Sequence, residues 1–132
     1  MVQNVVSIDG KYYNLTIPEG GITRSFSVLD TDKSGRLQSG EMFRDVIGTY
    51  YNYKVKFSPK NMSPKEYDDF YEVISSPVDK HVITVPYGQS ILTFDAYVTS
   101  GEDVLKKVEN GTKKWGGITI SFVAMSPKRR PI

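Results

Sequence analysis

The period-two alternation of residues 42–57 (MFRDVIGTYYNYKVKF) constrains the fold more than any other feature of the sequence. Six of the eight positions of one parity are apolar or aromatic, in the set Phe43, Asp45, Ile47, Thr49, Tyr51, Tyr53, Val55 and Phe57. The other parity carries Arg44, Asn52, Lys54 and Lys56. Since successive side chains of a strand point to opposite faces, the pattern predicts a half-buried strand with one wet face from Ile47 onward. Gly48 predicts a bulge or bend within it.

Other β-prone runs surround this strand. Asp9-Gly10 joins VQNVVSI to KYYNLTI and predicts a hairpin, because Asp-Gly favours the tight turns that connect antiparallel strands. β-Branched and aromatic residues predict further strands at 22–29, 81–87, 90–99 and 118–125. Residues 100–117 are polar and contain several glycines, and they are compatible with a short helix, a flexible loop or a strand extension.

One short helix is predicted, at about 64–75. Ser63 suits the N-cap, Pro64 suits the first helical position, and Glu66 completes a capping box. Residues spaced i, i+3, i+4 and i+7 give it one apolar face, which consists of Tyr67, Phe70, Tyr71 and Ile74.

These elements predict a mainly β (α+β) fold, a small antiparallel β-sandwich or barrel with the one helix. The 132 residues suit a single domain. We assign residues 1–126 to this β-rich domain and residues 127–132, which include Lys128-Arg129-Arg130, to a basic C-terminal tail.

Composition narrows the function classes. A net charge of +2 is too small to argue for nucleic acid as a partner. The absence of cysteine removes disulfides, thiolate nucleophiles and cysteine metal sites. No apolar run approaches the ~18 residues of a membrane helix, and the N-terminus has no secretory pattern, so we expect no membrane partner and a cytoplasmic route.

Residues 30–41 (DTDKSGRLQSGE) have the spacing of a twelve-residue EF-hand calcium loop. The candidate metal ligands are Asp30, Asp32, Ser34, Arg36 and Glu41. An EF-hand needs a helix on each side of the loop, but the upstream residues are β-prone and the downstream residues alternate at period two. We therefore predict a strand connection and no bound metal, and a calcium-binding module stays an alternative.

The sequence contains no recognisable catalytic set. His81 is the only histidine and cannot build a typical zinc site without cysteine. No nucleophile elbow, P-loop or dinucleotide fingerprint is present, so we predict a protein that is not an enzyme and has no cofactor. Nine tyrosines and Trp115 are suited to protein interfaces. The same aromatic residues leave a carbohydrate-binding β-domain as a further alternative.

The stretch SFSVLDTDKSGRLQSGEMFRDVIGTYYNYKVKF resembles small phage and prophage tail-associated proteins of Gram-positive bacteria. Those proteins carry a strand, a loop of the form A/S-G-R-x-x-x-G-x-M-x-R-D, and a second strand. The matching positions are Ser34, Gly35, Arg36, Gly40, Met42, Arg44 and Asp45. The helix beginning near a proline, VPYGQ and WGGITISFVAM are also similar, so that the resemblance covers roughly residues 22–126.

The resemblance implies a non-enzymatic structural component of a phage or phage-like tail, in the tube, baseplate hub or tail-terminus region. Such a subunit would form a homo-oligomeric ring, contact other tail proteins, and reside in a virion tail assembled in the bacterial cytoplasm. Extended strands and tyrosine-rich surfaces would provide the contacts. The interface candidates are Arg36, Met42, Arg44, Tyr51, Tyr53 and Trp115.

The loop interpretation predicts different consequences for two neighbouring substitutions. Gly40→Val should destabilise the fold, because we expect this glycine at positive φ. Glu41→Gln should leave folding and assembly nearly intact, because no ion is expected at its carboxylate. Chemical denaturation of both variants measures the difference, and equal, small effects would count against the predicted loop.

Overall fold

The computed structural model describes the backbone of residues 2–3 and 5–131 and the side chains of residues 5–131. Met1, Asn4 and Ile132, which belong to the predicted domain and tail, lie outside the described residues. The chain is 51% strand and 9% helix, which confirms the prediction of a mainly β fold with one helix.

The helix, α1, spans Pro64–Ile74. The strands are β1 (Val2–Gln3), β2 (Ser7–Ile8), β3 (Thr16–Ile17), β4 (Ile22–Asp30), β5 (Gly35–Arg36), β6 (Met42–Phe43), β7 (Val46–Phe57), β8 (His81–Tyr87), β9 (Ser90–Tyr97), β10 (Gly101–Glu102), β11 (Leu105–Glu109), β12 (Thr112–Trp115) and β13 (Ile118–Ala124).

The main sheet is antiparallel and has the order β2-β8-β9-β13-β7-β4, with β10 also paired to β13. β13 pairs with β7 through residues 118–122 and with β9 through residues 123–124. This change of partner bends the sheet so that its two halves face each other. The Tyr53 ring of β7 lies 5.9 Å from the Phe94 ring of β9, and the Tyr53 hydroxyl donates a 2.8 Å hydrogen bond to the Pro86 carbonyl of β8. The predicted sandwich-like arrangement is confirmed.

β7 follows the predicted alternation only from Tyr53 onward, since nearly all of residues 46–52 are half-buried on both faces. Tyr53, Val55 and Phe57 are buried, whereas Lys54 and Lys56 between them are exposed. The pairing of β7 with β4 shifts register between Leu29 and Asp30, at the level of Gly48, which confirms the predicted irregularity there.

The helix closes the core as its sequence predicts. The Ser63 hydroxyl accepts a 3.2 Å hydrogen bond from the Glu66 amide at the N-cap. The centre of the Phe70 ring lies 5.5 Å from that of Phe57 and 5.2 Å from that of Tyr13. The predicted apolar face is buried except for one residue, with Tyr67, Phe70 and Ile74 inside and Tyr71 exposed. Fully burying such a side chain contributes ~2–3 kcal/mol, so Phe70 is central to the core.

The first predicted hairpin forms only at its turn. Asp9 and Gly10 have φ values of 53° and 83°, and Ile8 and Lys11 exchange two backbone hydrogen bonds of 3.0 Å. Beyond the turn the two strands separate, because β2 pairs with β8 and β3 pairs with β1. The Asp9 carboxylate explains this path: its Oδ2 lies 2.7 Å from His81 Nδ1, and its Oδ1 accepts a 2.9 Å bond from the Val82 amide.

Residues 100–117, which the sequence left open, form neither a helix nor a loop. β11 and β12 make a hairpin whose turn residues, Asn110 and Gly111, have φ values of 51° and 79°. Asn-Gly is the preferred pair for this turn type. β10 extends the main sheet beside β13.

The C-terminal segment does not leave the domain as a free tail. The Lys128 amide donates to the Thr49 carbonyl at 2.9 Å, and the Thr49 amide donates to the Arg129 carbonyl at 2.8 Å. A Cβ atom at Gly48 would overlap the Arg129 carbonyl oxygen and lie 2.8 Å from Pro127 Cβ. Glycine at this position therefore lets residues 127–129 lie against β7.

The contacts of Asp9 predict a pH-dependent contribution to stability. Burial raises the pKa of the Asp9 carboxyl, but the hydrogen bonds from His81 and Val82 outweigh it, so the pKa lies below its usual value. A carboxyl group whose pKa is lowered by folding stabilises the folded state at pH values above its unfolded pKa of about 4. This stabilisation is lost as the pH falls through the pKa of the folded state. Asp9→Asn should therefore cost about 1–2 kcal/mol at pH 7, discounted because the side chain is partly exposed, and less at pH 3.

Chemical denaturation at the two pH values measures this difference. The control is Asp32→Asn, which changes an exposed loop aspartate. A loss of stability in Asp9→Asn that is equal at pH 7 and pH 3 would contradict the role assigned to the ionised carboxylate.

Candidate functional site

β4 is the main candidate for an interaction surface. It is nine residues long and stands at one end of the sheet order, with β7 on one side only. None of its residues is buried. β13 pairs with residues 53–57 of β7, so β4 and the remainder of β7 extend beyond β13 as a ribbon, which the C-terminal segment contacts through a bridge between Arg129 and Thr49.

Alternate residues of β4 direct their backbone groups away from the sheet. The Lys56 amide donates a 2.8 Å hydrogen bond to the Gly21 carbonyl, which identifies these two residues as a hydrogen-bonded pair. Because bonded and non-bonded pairs alternate in an antiparallel ladder, Arg24, Phe26 and Val28 present their N–H and C=O groups to the open edge. The 3.1 Å bond from Arg44 Nη2 to the Val28 carbonyl agrees with this assignment.

The same three residues face a cleft between the two halves of the sheet. Register places Phe26 opposite Tyr51, so both side chains lie on one face. The cleft has a volume of about 550 Å³ and is lined by Arg24, Ser25, Phe26, Val28, Thr49, Tyr51, Tyr87 and Arg129. The Tyr51 and Tyr87 rings are 5.3 Å apart, and the Tyr87 hydroxyl donates to the Tyr51 hydroxyl at 3.2 Å.

The cleft is electropositive. The hydrogen bond from Tyr87 lowers the pKa of the Tyr51 hydroxyl, and the charges of Arg129 and Arg24 lower it further. Arg24 Cζ lies 5.5 Å from the centre of the Tyr87 ring, in cation–π contact. Such surroundings favour a negatively charged group.

The calcium-like loop lies at the far end of the ribbon. Strands β4 and β7 flank it, and β5 within it pairs with β6 directly after it, which confirms the predicted strand connection. Asp30 Oδ2 pairs with Arg44 Nε at 2.9 Å, so this candidate metal ligand already has an arginine as its partner. Gly40 has φ +91°, which confirms its expected positive φ. Among the described residues, no group of three or more acidic or histidine side chains is arranged to hold a metal ion.

Large apolar side chains are exposed on β4 and on the hairpin that follows it. They are Phe26, Val28, Leu29, Leu37, Met42 and Phe43. Phe26 is 69% exposed although it lies in the middle of a strand. We call these six residues and the open amides of β4 the β4 surface. Exposed apolar side chains next to unpaired backbone groups are typical of association sites.

The interface candidates from the sequence fall into four locations. Arg36, Met42 and Arg44 lie on or beside the β5–β6 hairpin, where Met42 is part of the β4 surface, and Tyr51 lines the cleft. The choice of Tyr53 as an interface candidate has to be corrected, because only 2% of this residue is exposed and its ring and hydroxyl make contacts within the core.

Trp115 lies elsewhere, on β12. Its side chain is half-buried and packs against the core.

Sequence reasoning missed several residues of the cleft. The β-prone run at 22–29 predicts a strand, but nothing local shows that no other strand covers Phe26 and Val28. Arg129 reaches the cleft only because Gly48 admits the C-terminal segment. A glycine in an otherwise regular alternating strand is the signal that could have indicated this close approach.

No protein-family model matches the chain, and a search of the curated proteins finds no significant match. The single helix of the described residues is too short to cross a membrane.

Gly48 allows a test of how the cleft is built. Gly48→Ala should destabilise the protein by about 1–3 kcal/mol, because the added methyl group overlaps the Arg129 carbonyl. The displaced segment should also be cut faster by trypsin after Lys128. Gly35→Ala is the control, since a Cβ atom there meets no other atom within 4 Å. Unchanged stability and unchanged cleavage in Gly48→Ala would contradict the docked C-terminal segment.

Proposed function

We propose that this protein is a non-enzymatic structural subunit of a phage or phage-like tail, which assembles with copies of itself through the β4 surface. The observation that carries the proposal is the open edge of β4. The resemblance of residues 22–126 to small tail-associated proteins supplies the biological setting. The proposed location of the subunit is the tube, the baseplate hub or the tail-terminus region.

An unprotected edge of this length favours a role in assembly. Soluble proteins usually blunt their edge strands with charges, prolines or covering loops, because open amides pair with other chains. Among the described residues, the one side chain that covers an outward backbone group of β4 is that of Arg44, which donates to the Val28 carbonyl. The Phe26 side chain and the outward amides of Arg24 and Phe26 are accessible to a partner.

The two ends of the sheet suit head-to-tail association. β4 terminates the strand order on one side and the two-residue β2 terminates it on the other. A contact between unlike surfaces of neighbouring copies generates a closed ring when the rotation closes and a filament when it does not. A ring assembled in this way agrees with the role that the resemblance implies.

Neither alternative function has a specific observation in its favour. Asp30 of the calcium-like loop is paired with Arg44. Trp115, the candidate for stacking on sugars, packs against the core.

The proposal is tested by sedimentation velocity across a concentration series. The wild-type protein should self-associate, and Phe26→Lys should weaken the association at least about tenfold, because a hot-spot aromatic contributes ~2 kcal/mol or more and a lysine disfavours edge pairing. Ile91→Lys is the matched control, since Ile91 is also an apolar strand residue that is 69% exposed.

Both variants should keep the wild-type unfolding transition, because neither side chain is buried. A wild-type protein that stays monomeric at all concentrations would overturn the proposal. Equal weakening of the association by both variants would contradict the role of the β4 surface in it.

A further inference from the structure

The chain carries two neighbouring segments of opposite charge, which its small net charge conceals. Residues 105–115, the β11–β12 hairpin, contain four lysines and one glutamate and have a net charge of +3. Residues 64–74, helix α1, contain one lysine and four carboxylates and have a net charge of −3. Neither segment belongs to the β4 surface.

The positive charges of the hairpin have few partners in their own chain. Lys107 pairs with Glu109 at 2.9 Å, and among the described residues Lys106, Lys113 and Lys114 form no ion pair. Lys107 and Lys114 stand directly opposite each other across the hairpin. Like charges in directly opposed positions destabilise a strand pair, and a negatively charged partner would relieve that repulsion.

The hairpin also exposes apolar side chains. Val104, Leu105 and Val108 are all exposed, and all five residues of β11 are accessible. A small apolar centre with charges around it is the usual composition of a protein–protein contact.

The exposed side of α1 has the complementary composition. Asp68, Asp69 and Glu72 are exposed, and within the described part of the chain only Asp69 of these three forms an ion pair, with Lys65 at 3.0 Å. Tyr71 is exposed on the same helix although its spacing predicts burial. The helix therefore presents carboxylates and one aromatic ring to solvent.

The two segments are adjacent in one subunit. The N-terminal half of α1 and the hairpin line one groove of about 770 Å³, to which Tyr67 and Asp68 contribute from the helix and Lys113, Lys114 and Trp115 from the hairpin. Because they lie side by side, a two-fold axis between two copies would bring each hairpin onto the helix of the other copy. Both contacts of such an isologous pair form at once.

We propose that two copies of this chain associate through reciprocal contacts between the basic β11–β12 hairpin of each and the acidic face of α1 of the other. The occupant is a second copy because the chain itself supplies the complement, equal in magnitude and opposite in sign. This contact is separate from the β4 surface, and it stands if the assembly assigned to β4 fails.

Charge exchange tests the proposal in a Phe26→Lys background, in which the β4 contact is expected to be weakened. One variant carries Lys113→Glu and Lys114→Glu, and the other carries Asp68→Lys and Glu72→Lys. All four positions are exposed, so folding should be retained, and the unfolding transition verifies this. Sedimentation velocity measures association of each variant alone, of their equimolar mixture, and of a chain with all four substitutions.

Each variant alone should associate at least about tenfold more weakly than the parent, since both its segments then carry the same sign. The mixture and the fourfold variant should recover association, because opposite charges meet again. The parent association should weaken when the salt concentration rises from about 0.05 M to about 0.5 M, as the Debye length falls.

A mixture that associates no better than its components would overturn the proposal. So would a parent that stays monomeric but binds an oligothymidylate probe through Lys113 and Lys114, since that result would assign the hairpin to a polyanion. Matched losses in the two separate variants together with recovery in the mixture support the reciprocal contact, since misfolding would not be restored by mixing.

Discussion

The bend of the sheet at β13 is the constraint on which the rest of the structure depends. The first five residues of β13 pair with β7 and the next two pair with β9, so one strand belongs to both halves of the fold. Phe122 at this position packs 6.5 Å from Phe57, which in turn contacts Phe70 of the helix. Since β13 covers only the second half of β7, the first half continues outward with β4 and forms the exposed ribbon.

Local patterns predicted the elements whose signals lie within a few residues. The alternation ending in Tyr53, Val55 and Phe57 and the capping signals at Ser63 were sufficient for β7 and α1. Asn110-Gly111 carried an equally local hairpin signal. The strands on either side of it were not recognised, because their exposed lysines give no alternation of buried and exposed residues. The pairing of Asp9 with His81 could not be predicted, since 72 residues separate the two in sequence.

The candidate site combines predictable and unpredictable parts for the same reason. The conversion of the calcium-like spacing into a strand connection followed from the flanking alternation, and the Asp30–Arg44 pair now gives it a structural explanation. Whether Tyr51 or Tyr53 would be accessible depended on where β13 ends, which no local pattern specifies. Arg129 joined the cleft through a close approach that requires glycine at position 48. Exposure is therefore a property of the sheet order rather than of individual residues.

Amide hydrogen exchange of β4 in the dilute and the associated protein detects edge pairing residue by residue. The outward amides of Arg24, Phe26 and Val28 should become protected on association. The amides of Ser25 and Ser27, which already bond to β7, should change little, because edge pairing adds bonds only at alternate residues. Protection that is equal at both parities, or absent from β4 while association proceeds, would contradict assembly through the open edge.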